Sequence, residues 1–225
     1  MKAVPGLSTV CVALASTAEN VMTGQGRMRH FRIFRAVWLF LGLAVLAACG
    51  STPDKEVISG PEQIAELRQQ IMALGPDIDP DEADRAARIS FSHTRELARA
   101  YRITDPPLVH NAKVNMGLKP RGLCWHWAED MEKRLDAEAF ETLDIHRAIA
   151  NADNAFRIEH STAIISARGD GYLQGVVIDP WRKGGVLTHV PTLEDPDYRW
   201  DSQQDVLARK RDAILAARKR PSSRF

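Results

Sequence analysis

Arg121-Gly122-Leu123-Cys124-Trp125-His126-Trp127-Ala128 is the stretch on which the reading of this chain turns. A glycine turn gives way to a helix there, because Leu123, Trp127, Met131 and Leu135 recur every four residues and form an apolar stripe that must face a core. Cys124 lies one position round from the stripe, in the first turn. The unpaired N–H groups and the positive end of the helix dipole favour a thiolate there and suit an oxyanion on an attacked carbonyl. Gly122 leaves room for a substrate backbone, and Trp125 stands beside the thiol. The alternative is a cysteine packed as a small hydrophobe beside two tryptophans.

Outward from this helix, Phe156, Ile158, His160, Thr162 and Ile164 alternate with polar or small residues, which is strand periodicity. Arg168-Gly169-Asp170-Gly171 reads as a hairpin turn, with Tyr172 to Ile178 returning as the second strand. Counting back from that turn sets His160 directly opposite Asp179, with Cβ atoms about 4.5–5.5 Å apart, within reach of an imidazole–carboxylate hydrogen bond. Asp179 then holds His160 in the tautomer that takes a proton from Cys124.

Upstream, Gly60-Pro61 opens a helix whose Ile64, Leu67, Ile71 and Leu74 share a face, and Gly75-Pro76 stops it. A second helix is expected from about Asp81 to Tyr101, with Ala86, Ile89, Leu97 and Ala100 inward; its His93 reads as a surface or core-edge residue. Residues 103–121 read as a loop punctuated by Asp105-Pro106-Pro107, Gly117 and Lys119-Pro120. His110 and Asn111 on it either line the site or are ordinary loop residues. A strand over 144–150 carries a structural His146. Beyond Trp181-Arg182-Lys183-Gly184-Gly185 the chain is Pro- and Asp-rich to Trp200. A terminal helix is then expected from about Ser202 to Arg218, with Val206, Leu207, Ile214 and Leu215 inward and a basic end.

The N-terminal region reads differently. Arg29, Arg32 and Arg35 precede an apolar run over 36–48, short for a membrane span, which needs about 20 residues, and suited to a secretory signal. Leu46-Ala47-Ala48-Cys49-Gly50 resembles the bacterial lipobox, which implies cleavage before Cys49 and lipid on its sulfur. The alternative is an uncleaved anchor. Residues 1–48 are thus the signal region, with Met28 an alternative start that makes 1–27 the product of a mis-called start codon. Residues 49–60 are the lipidated cysteine and its tether, and 61–225 form one domain. The expected location is the cell envelope, anchored by lipid to the outer membrane and facing the periplasm.

Charge and cysteine usage narrow the function further. Residues 1–48 hold five Lys or Arg and one Glu, so the remainder, with 25 basic and 28 acidic residues, carries about −3 and gives no footprint for nucleic acid. With Cys11 in the signal and Cys49 lipidated, Cys124 is a lone thiol in a disulfide-permissive compartment: buried and inert, intermolecular, or reactive. Seven histidines form no His-x-x-x-His pair and there is no Cys-x-x-Cys, so neither a metal site nor a cofactor is expected.

Gly122-x-Cys124-x-x-x-Ala128, a strand His160 and then Asp179-Pro180-Trp181 resemble the transglutaminase-like branch of the papain-like cysteine enzymes, over roughly residues 105–185. The resemblance implies Cys124 as nucleophile, His160 as general base and then acid, and Asp179 as orienting residue. It implies an α+β fold in which the cysteine helix packs on a small antiparallel sheet. Ser161-Thr162 after the histidine, and Leu118-Lys119 where a papain-type enzyme has glutamine, depart from the family pattern. The expected function is a thiol-dependent amide-bond hydrolase or acyl transferase acting on peptide or peptidoglycan-like material. The alternatives are a non-catalytic envelope lipoprotein that binds a partner, and a metal-binding protein.

Overall fold

Helix α1 (Pro61–Met72) begins at Pro61, whose missing N–H is no loss at a helix start, and buries Leu67 and Ile71. Helix α2 (Pro80–Ala100) is capped by Asp79, whose carboxylate accepts from the N–H groups of Asp81 and Glu82 at 2.7 and 3.0 Å. Its inner face carries Ala86, Ile89 and Leu97 as expected, whereas Ala100 is exposed. The computed structural model describes residues 60–219. The signal region, Cys49 and the tether lie outside the described residues, apart from Gly60 at the tether's end.

Residues 103–121 are not all loop. Helix α3 (Pro107–Asn115) starts on the tandem prolines, Pro106 capping and Pro107 entering the first turn. Proline punctuates a chain equally well by ending structure or by opening a helix, and here it opens one. Helix α4 (Cys124–Asp136) follows, with Trp127, Met131 and Leu135 buried along the expected stripe.

The sheet has five strands, β1 (Leu143–Ala150), β2 (His160–Ala167), β3 (Val176–Asp179), β4 (Thr188–Pro191) and β5 (Trp200–Ser202), in the order β4-β3-β2-β1-β5, with every pairing antiparallel. Helix α5 (Gln203–Lys219) leaves the end of β5. The fold is therefore α+β. Leu67, Ile71, Ala86, Met131, Leu135, Ile165 and Ile178 join α1, α2 and α4 to one face of the sheet. Ile164, Val177 and Trp200 form a smaller cluster on the other face.

Four expectations change. The strand begins at His160 rather than Phe156, and Phe156 is 99% exposed on the connection before it. Tyr172–Gln174 is a 3₁₀ turn, so β3 starts only at Val176. Ala163 consequently faces Ile178, two residues from the hairpin count. Gly175 marks the cause, because a Cβ there would lie 2.5 Å from the Ile165 carbonyl oxygen; the chain leaves the ladder where only glycine fits. In α5 only Val206 is buried, while Leu207, Ile214 and Leu215 are exposed. Strands β4 and β5 lie in the segment read as Pro- and Asp-rich, each too short for alternation to register.

Candidate active site around Cys124

The start of α4 is held by its own histidine. His126 Nδ1 accepts from the N–H groups of Gly122 and Leu123 at 3.1 and 3.2 Å, so this nitrogen carries no proton. Burial and the nearby Arg121 lower the His126 pKa, which keeps that acceptor available. Gly122 has φ 124°, and the space a Cβ would take is filled by His110, whose Nε2 lies 2.4 Å from that position. The missing side chain thus admits an imidazole of the protein itself. His110 is buried and pairs through Nε2 with the Arg121 carbonyl at 2.9 Å, while Asn111 accepts from Trp181 Nε1 at 3.1 Å. Both residues brace the neighbourhood of the cysteine. Tyr101 completes the support, donating to Asp130 at 2.5 Å; burial and this bond raise its pKa.

Cys124 is 8% exposed and is the free cysteine among the described residues. Its thiol donates to the Glu159 carbonyl at 3.7 Å, immediately before His160. The first two N–H groups of α4, those of Cys124 and Trp125, have no acceptor within the helix by virtue of their position.

His160 and Asp179 do meet. The two-residue register change moves whole pairs without turning side chains over, because strand side chains alternate with a period of two. Asp179 therefore reaches His160 diagonally instead of head-on. His160 Nε2 donates to Asp179 Oδ2 at 2.6 Å, with both side chains only 1% exposed. Nδ1 is buried, has no hydrogen-bond partner, and is the nitrogen left for Cys124. Three rings surround the imidazole, with centroids at 4.7 Å for Trp181, 4.7 Å for Tyr198 and 5.4 Å for Trp200. Burial pushes the His160 pKa down, but the Asp179 charge and hydrogen bond, aided by the nearby Cys124, outweigh it and raise the value to about 9. Asp179 shifts the opposite way: burial favours its acid form, and His160 and Arg182 overcome that.

The hairpin reading passed over Arg182. Its Nε donates to Asp179 Oδ2 at 3.0 Å, and its two terminal nitrogens reach Asp195 at 3.0 and 2.7 Å. The Asp179 Oδ1 oxygen is also saturated, accepting from the N–H groups of Trp181 and Arg182. An arginine three residues after an Asp-Pro turn was the available signal; Asp195, Tyr198 and Trp200 gave none, being brought in by β4 and β5.

Arg147 of β1 was passed over as well. It donates to Glu132 and the Trp125 carbonyl of α4 and to Ser161 of β2, clipping the cysteine helix to the strand that carries His160. Above it lies a groove of about 480 Å³ lined by Cys124, Trp125, Arg147, His160, Ser161 and Leu207 among others. Among the described residues no group of His, Cys, Asp and Glu side chains is arranged to hold a metal ion, and no helix is long and apolar enough to cross a membrane.

Fold and site together define an α+β protein with a thiol at a helix start beside a buried imidazole–carboxylate pair. A comparison with family models, curated proteins and solved structures found no match.

Proposed function

We propose that this protein is a thiol-dependent amide-bond hydrolase or acyl transferase of the transglutaminase-like, papain-like kind. We further propose that it is anchored by lipid on Cys49 to the bacterial envelope and acts on peptide or peptidoglycan-like material in the periplasm. The observation that carries the catalytic reading is the buried 2.6 Å bond from His160 Nε2 to Asp179, which leaves Nδ1 unpartnered near Cys124. In the first step the sulfur attacks an amide carbonyl, and the thiol proton resides on His160 Nδ1. The negative oxygen of the tetrahedral intermediate is received by the free N–H groups at the start of α4. Collapse expels the amine, which takes the proton from Nδ1, and leaves a thioester on Cys124. Water or a second amine, deprotonated by His160, then releases the acyl group.

A second reading has its own support: the thiol is nearly buried and hydrogen-bonded to the Glu159 carbonyl, as befits a packed cysteine in a non-catalytic binding protein. Alkylation separates the two. Iodoacetamide is expected to modify Cys124 at pH 6 about tenfold faster in the wild type than in His160→Asn, because an imidazolium partner sustains thiolate at that pH. Equal rates in the two proteins, with the pH profile of an ordinary thiol, would exclude the enzyme.

A further inference from the structure

Two donors share one oxygen of Asp179. His160 Nε2 lies 2.6 Å from Oδ2 and Arg182 Nε lies 3.0 Å from the same atom, while Oδ1 is fixed by the backbone N–H groups of Trp181 and Arg182. Orientation of the carboxylate is therefore secured without the arginine side chain. What the guanidinium adds is charge, placed where it competes with the imidazolium for Oδ2.

We propose that Arg182 is a positioning residue that limits how firmly Asp179 retains the proton of His160, and so keeps that proton transferable. This rests on the reading of Cys124, His160 and Asp179 as a reacting set. A buried imidazole facing an unshared carboxylate would be held still more firmly as an imidazolium, and would give its proton to a leaving amine less readily. Arg182 is itself held by Asp195, bidentate and with its side chain fully buried, and by Asp197 at 3.3 Å, and it lies over the Tyr198 ring at 4.6 Å. Asp195 also accepts from Trp200 Nε1 at 2.9 Å, so one carboxylate fixes both the guanidinium and part of the aromatic wall around His160. The charged and titratable groups facing His160 are thus Asp179 from β3 and Cys124 from α4. Tyr198 faces it from the connection before β5, and Arg182 acts through Asp179; Trp181 and Trp200 carry no charge. Asp195 and Asp197 are paired with Arg182, and Arg157 lies over the Tyr198 ring at 5.6 Å.

The sign of the effect distinguishes this role from a merely structural one. In Arg182→Gln the ring titration of His160, followed by NMR of labelled imidazole, is expected to move upward by about one unit, as loss of a nearby positive charge requires. Arg182→Lys keeps the charge and is expected to restore the wild-type midpoint. Asp195→Asn removes the competing partner of Arg182 and is expected to move the midpoint downward, which keeps the test open should Arg182→Gln not fold. A folded Arg182→Gln protein, by circular dichroism, with an unchanged or lowered midpoint would overturn the proposal. So would a folded Asp195→Asn protein with an unchanged or raised one. Because the readout is a titration in the resting protein, failure of the enzymatic reading would appear separately, in the alkylation of Cys124.

Discussion

His160 is a titratable group kept where burial disfavours its charged form, and Asp179 raises its pKa against that burial. Walled by Trp181, Tyr198 and Trp200 and 1% exposed, it would shed its proton were Asp179 not bonded to it. A consequence for stability follows with a definite sign. The ring holds its proton up to about pH 9 when folded and to about 6.5 when unfolded. Stabilisation from the pair is therefore fully present below pH 6.5 and is lost as pH rises towards 9, since the unfolded chain releases the proton first. Urea midpoints measured from pH 6 to 9 are expected to fall more steeply for the wild type than for His160→Asn. Parallel curves would mean that the ring is not preferentially charged in the fold.

Among the elements, α2 is tied to the residues that lead into β1 by an acid in its first turn. Glu82 is buried and accepts from the Glu141 N–H at 2.7 Å, the Thr142 N–H at 2.8 Å and the Thr142 hydroxyl at 2.6 Å, just before β1 begins. Burial alone would raise its pKa, but the three donors and Arg85 lower it. Glu82→Ala leaves those donors without their acceptor and is expected to cost about 2–3 kcal/mol, measured by urea unfolding. Amide protection at the start of β1 should fall with it; a loss below about 0.5 kcal/mol would show that the tie is dispensable.

Legibility in the sequence followed the length of the elements. Helices α1, α2 and α4 and strand β1 were readable because apolar spacing repeats over three turns or eight residues, and Pro61 marks the start of α1, whereas α2 starts at Pro80 under an Asp79 cap, ahead of the expected Asp81. Strands β4 and β5, of four and three residues, offer no such repeat. Helix α3 was hidden behind prolines that elsewhere end structure. In α5 the apolar residues at 207, 214 and 215 suggested a buried face, yet all three are exposed and Val206 is the one buried side chain among the described residues of the helix.

Over the whole chain, the described domain of residues 60–219 would stand about a dozen residues beyond the proposed lipid on Cys49. Expression in a Gram-negative host with radiolabelled palmitate is expected to label the wild type and leave Cys49→Ala unlabelled, with the variant released from the membrane fraction. Equal labelling of both would remove the anchor from the reading.

The sequence by itself determined the thiol at a helix start and the histidine and acid on neighbouring strands, because each is written in local periodicity and spacing. Only the tertiary structure decided that His160 and Asp179 meet on a diagonal, since a 3₁₀ turn at Tyr172–Gln174 reset the register while period-two alternation kept both side chains on one face. It alone supplied Arg182 as a competitor for Oδ2, Asp195 behind it, and the ring wall of Tyr198 and Trp200. Contacts between residues far apart in the chain depend on how short strands and turns close the sheet, and no local pattern encodes that closure.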